Sequence, residues 1–185
     1  MRNDKAGIWV ALALLLVLTR FGHFGHSSQP LDASWAVFLL GGALLRGAAP
    51  LLGLCALAGA VDVTAFALGA STTCMSAGYA FLLPAYAALW WAGRVGGAGE
   101  LRTLPRIAVA AVLGAVAAFA ISNAGYFALA PDLAAMPPGV FALRVALYLP
   151  SYVIATLVYV LTGHLLVHAT AALRQRVRPQ HDDAG

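Results

Sequence analysis

The groups in this chain that can do chemistry are a thiol beside a run of hydroxyl residues, a carboxylate inside an apolar stretch, and two pairs of imidazoles. Cys74 follows Ser71-Thr72-Thr73, whose side chains are good N-caps for a helix starting there. A thiol in the first turn of a helix feels the positive end of the dipole, which favours the thiolate, a soft ligand for transition metals. The competing reading of Cys74 is a small buried residue that only packs. For Cys55, between Leu54 and Ala56, packing is the favoured reading. Two cysteines outside any C-x-x-C pair exclude a thiol oxidoreductase and a zinc ribbon, both of which need closely spaced thiols.

Asp62 carries the most physical weight. A carboxylate within a hydrophobic span costs a few kcal/mol in lipid and therefore faces a cavity or a partner. Arg20 and Arg144 are its candidate partners in a structural bridge, and lining a substrate cavity is compatible with either pairing. His23 and His26, three apart, are able to bind metal or titrate near neutral pH, although two histidines make a weak metal site and solvated loop residues compete as an explanation. His164 and His168, at i and i+4, share one helix face. A b-type haem needs ligands on facing helices, and the remaining histidines of the body of the chain lie in or near the first loop, at the far end. Snorkelling or helix pairing is therefore preferred for this pair. Trp35, Trp90, Trp91, Tyr86, Tyr148, Tyr152 and Tyr159 read mainly as interface anchors or packing, whereas Tyr79 and Trp35 stand where a large planar ligand can touch them.

The elements that must position these groups are membrane helices. The chain is 62% hydrophobic and 10% charged, against roughly 25% charged in soluble domains, so lipid must be its solvent. Six stretches approach the required length: 6–21, 33–45, 50–69, 76–93, 105–130 and 140–170. The first follows a basic start but lacks a small-residue cleavage site, so it is read as helix one rather than a signal peptide. Pro84 and Pro150 fall inside spans and are expected to kink them. With the N-terminus inside, nine of the eleven Lys and Arg residues lie on inner segments, and only Arg20 and Arg144 lie outside. The expectation is an all-α, polytopic bundle of six transmembrane helices over residues 1–173, both termini cytoplasmic, ending in a basic, disordered tail over 174–185. The net charge of +4 is thus explained by membrane orientation, not by nucleic acid. Polar residues gather toward the outer face, as an outward-facing pocket would require.

This arrangement resembles the substrate-binding subunits (S-components) of energy-coupling factor vitamin transporters, and among them the solitary, cobalamin-specific BtuM type. The general likeness covers nearly the whole chain. The specific likeness rests on Cys74 before helix four with Tyr79 five residues on, Asp62 in helix three, His23 after helix one, and Arg144 opening helix six. The resemblance implies a transporter, not an enzyme, that captures vitamin B12 (cobalamin) outside the bacterial inner membrane. It implies Cys74 as the axial sulfur ligand of the corrin cobalt, with incidental loss of cyanide from cyanocobalamin, and His23, Asp62, Tyr79, Arg144 and Trp35 around the corrin. Gly7 to Ala11 gives helix one a small-x-x-x-small pair where such subunits often carry an alanine pair, leaving open an energy-coupling module of membrane subunit and ATPases or none. The alternatives are a haem-binding or structural membrane protein and an intramembrane protease. The last needs a Gly-x-Ser-x-Gly context that Ser71, after Gly69-Ala70, lacks.

Overall fold

The computed structural model describes residues 2–20, 32–69, 77–97, 103–130, 133 and 135–177. Among them the chain is all-helical, without strands: α1 Arg2–Arg20, α2 Ser34–Leu44, α3 Ala49–Ala67, a 3₁₀ turn Ala77–Phe81 leading into α4 Leu82–Gly97, α5 Leu104–Leu129, α6 Pro138–Ala146 and α7 Leu149–Val177.

Three of these helices are long and apolar enough to cross a membrane: Ala49–Ala67, Leu104–Leu129 and Leu149–Leu173. The others are shorter or, in α1, carry charges at the ends. Leu18, Leu52, Leu113 and Leu165 are each more than half exposed. Apolar surface spread over so many helices suits hydrocarbon rather than water.

The 11-residue α2 is the centre of the bundle. At about 1.5 Å per residue it is too short to span the hydrocarbon, and every residue from Ser34 to Ala43 is buried. A helix apolar on all sides must be covered on all sides, and α1, α3, α4, α5 and α7 all pack on it. Contact with α4 is closest where Gly42 faces the Trp90 backbone and Gly93 faces the Leu39 backbone. A Cβ at either position would overlap the opposing main chain. Phe38 stacks on Tyr86 with ring centroids 4.0 Å apart, tying the α2 core to α4.

Both intrahelical prolines depart from expectation. Pro84 is the third residue of α4 and Pro150 the second of α7. Each sits not in a helix interior but in a first turn, where the missing N–H has no intrahelical partner to lose. The sixth expected span is accordingly two helices, α6 and α7, meeting at Leu147 and Tyr148. At the other end, α7 continues through Val177, past the expected boundary at residue 173.

Candidate binding cavity

Arg20, the last residue of α1, organises the site. The buried stripe of α3 comprises Leu54, Ala58, Val61, Asp62 and Ala65, at helical spacing, so Asp62 faces the bundle interior. Arg20 Nε and Nη2 donate to the two Asp62 carboxylate oxygens, both at 2.6 Å, in a bidentate fork. Nη1 donates to Ser34 Oγ at 3.0 Å and to the Tyr86 hydroxyl at 2.7 Å. Nη2 also donates to the Tyr79 hydroxyl at 3.1 Å. A guanidinium has five N–H donors, and all five are engaged. Arg20 is 6% exposed and Asp62 2%. The knot therefore joins α1, α2, α3, the 3₁₀ turn and α4 in one desolvated cluster. Asp32 extends it: Oδ1 accepts from the Ser34 amide and hydroxyl, and Oδ2 lies 4.0 Å from Arg20.

Beside the knot lies a cavity of about 180 Å³ with an aromatic lining. Trp35, Tyr79, Tyr86, Phe119, Tyr148 and Tyr152 supply ring surface, and Arg20, Asp32, Ser122 and Asn123 supply polar atoms. Trp35 stacks on Tyr152 at 4.6 Å and meets Phe119 edge-on at 6.5 Å. A second cavity of about 170 Å³ lies on the α3 side, lined by Cys55, Ala58, Gly59 and Asp62. Arg20, Tyr79, Leu82 and Tyr86 border both spaces. These four side chains form the wall between them. The chemistry on offer is stacking on a planar ligand with a few hydrogen bonds at the rim. No cluster of three or more metal-ligating side chains occurs among the described residues.

Of the residues singled out from sequence, Trp35 and Tyr79 come together in the first cavity. Asp62 stands behind the wall, both carboxylate oxygens taken by Arg20, and of its two candidate partners Arg20 is the one bonded. Arg144 is not brought to the cavity: it is exposed in the last turn of α6, a helix that buries only Phe141. His23 and Cys74, with His26 and Ser71 to Thr73, lie outside the described residues. Asn123, one of the polar residues read as gathering at the outer face, also lines the cavity, whereas sequence reading missed Tyr86, Phe119, Ser122 and Tyr152 as cavity residues. Their spacing carried a signal: Tyr79 and Tyr86 are seven apart, Phe119 and Asn123 four, Tyr148 and Tyr152 four, each a same-face interval once the helices are known.

Tyr79 reaches the wall because Gly78 lets the 3₁₀ turn lie directly on α5. A Cβ on Gly78 would stand 2.7 Å from Tyr126 Cα and 2.9 Å from the Gly125 carbonyl oxygen, neither of which can yield. Gly78→Ala should therefore cost about 1–3 kcal/mol by overpacking and lift Tyr79 off Arg20. Thermal unfolding in detergent checks this against Gly59→Ala, where a Cβ meets nothing within 4 Å and no comparable loss should appear.

Compared with known proteins, the chain matches no family model and no curated sequence. Fold and cavity together define its class: an all-helical bundle with three helices able to cross a membrane, enclosing an aromatic-lined cavity braced by a buried ion pair.

Proposed function

We propose that this chain is a multi-pass protein of the bacterial inner membrane that captures cobalamin on the outer face and passes it inward, as an S-component-like transporter rather than an enzyme. The observation that carries the reading is the position of the aromatic cavity. Its walls come from the end of α1, the start of α2, the turn before α4 and the start of α4, the later part of α5 and the start of α7, with the second cavity adding the later part of α3, all at one end of an alternating bundle. Arg46, Arg94 and Arg106 lie at the opposite helix ends. The positive-inside rule then favours both termini in the cytoplasm and the cavity outside, with α1, α3, α4, α5 and α7 as spans and the chain returning between α1 and α3 through α2, which is too short to span alone and is sheathed by the other helices.

A cavity of about 180 Å³ is below the roughly 300–1,000 Å³ of sites that enclose a drug-sized ligand, so it takes part of a corrinoid and not the whole. Trp35 and Tyr79 offer ring faces to that part. For the remainder of the macrocycle the reading relies on His23 and Cys74, as the family resemblance implies. The Cys74 thiolate would give its lone pair to cobalt, and in cyanocobalamin the cyanide would leave as an anion without any change of oxidation state. Asp62 serves by holding Arg20, and through it the hydroxyls of Tyr79 and Tyr86, in place. Gly7 and Ala11, exposed on α1, offer a small-residue face to a coupling subunit if one is used. The haem alternative gains nothing from His164 and His168, which share one helix and cannot flank a single haem.

Expression in a strain that depends on external B12 and lacks its own inner-membrane importer tests the reading. Growth at limiting cobalamin should be restored. No growth despite membrane-localised protein overturns it.

A further inference from the structure

In the middle of α7, about three to four turns beyond the cavity, stand two imidazoles that the proposed transport does not use. His164 is 7% exposed, and its Nδ1 is buried without a hydrogen-bond partner. The ring of His168, one turn on, has its centroid 4.3 Å away at an interplanar angle of 50°. Val160 is fully buried and Gly163 abuts Leu40 of α2, so this stretch of α7 packs against the bundle core. His168 itself is exposed, which leaves the pair approachable from its side.

A buried ring nitrogen with nothing to bond to is costly and needs a reason. Two histidines at i and i+4 share one helix face, the spacing by which helical zinc sites supply two of their ligands, and here their rings touch. We infer that His164 and His168 form a two-imidazole site for a divalent transition-metal ion, with His164 Nδ1 as the buried ligand atom. Water or an anion completes the coordination, since the described residues supply no third ligating side chain. Imidazole suits zinc, nickel and copper, and Cu²⁺ binds tightest by the usual order of divalent ions. The inference is independent of the cobalamin reading.

The test titrates Cu²⁺ into the purified full chain, stripped with chelator and held in detergent, alongside His168→Ala. The exposed His168 can be changed without disturbing the core, and His164→Asn serves as a second variant. Copper held by His23, His26, Cys74 or His181 is common to all three chains and cancels in the difference. The wild type should bind one more copper equivalent than either variant, with paramagnetic resonance showing nitrogen ligands that both variants lose and an affinity advantage of roughly tenfold or more. Equal stoichiometry and affinity in wild type and His168→Ala overturns the site and leaves an ordered water as the partner of His164 Nδ1.

Discussion

Asp62→Ala is expected to destabilise the protein by about 3–5 kcal/mol, because it removes the bidentate partner of a buried charge and leaves Arg20 with only the more distant Asp32 carboxylate, 4.0 Å away. Arg20 is 6% exposed and spends two of its five donors on Asp62; the hydroxyls of Ser34, Tyr79 and Tyr86 that take the others carry no negative charge, and Asp32, at 4.0 Å, compensates only in part. The double variant Arg20→Met with Asp62→Leu should recover most of the loss, since replacing a buried ion pair by apolar residues of similar size is often neutral or better. Thermal unfolding of the three chains in one detergent makes the comparison. A single variant no less stable than the double one would mean that the fork is not desolvated in the membrane protein. The double variant also frees Tyr79 and Tyr86 from the guanidinium, so it should retain the fold while losing the wall that separates the two cavities. Stability and ligand binding should come apart in that chain.

The second large effect belongs to Cys74→Ala. If the thiolate is the axial ligand of cobalt, its removal should shift the visible spectrum of the bound corrinoid and weaken binding by more than the roughly 10–100-fold that even loss of an outer-shell partner costs at a metal site. Cys74→Ser keeps the size of the side chain and removes the soft donor, so it should behave like alanine. A spectrum identical in wild type and both variants at equal occupancy removes sulfur from the account while leaving the cavity in place.

Much of the bundle was legible in the sequence because hydrophobic length is a local property. The expected stretches 33–45, 50–69 and 105–130 agree closely with α2, α3 and α5. What a hydropathy reading does not contain is where a helix begins within an apolar run. Pro84 and Pro150 were read as kinks and turn out to mark first turns, so the sixth stretch divides into α6 and α7. Nor does hydropathy distinguish a helix apolar because it meets lipid from one apolar because protein surrounds it, which is the case for α2.

The candidate site was legible in kind more than in detail. A carboxylate in an apolar helix announces a partner, and Asp62 has one, but the choice between Arg20 and Arg144 depends on where α1 ends relative to α3 and on α6 standing apart. Long-range geometry of that sort leaves no trace in spacing. Trp35 and Tyr79 were picked out for their position near the outer mouth and do line one cavity, whereas Tyr86 and Tyr152 were passed over as packing. Both do pack, Tyr86 on Phe38 and Tyr152 on Trp35, and both also face the cavity. An aromatic ring has two faces and an edge, so one role does not exclude the other.

The most direct measurement is titration of the purified wild-type chain with cyanocobalamin, followed by its visible spectrum and by retention of corrinoid through gel filtration. The account predicts saturable binding near one equivalent, with a spectral change marking replacement of an axial cobalt ligand. A corrinoid that elutes free of the protein, with an unaltered spectrum at every ratio tried, would contradict it.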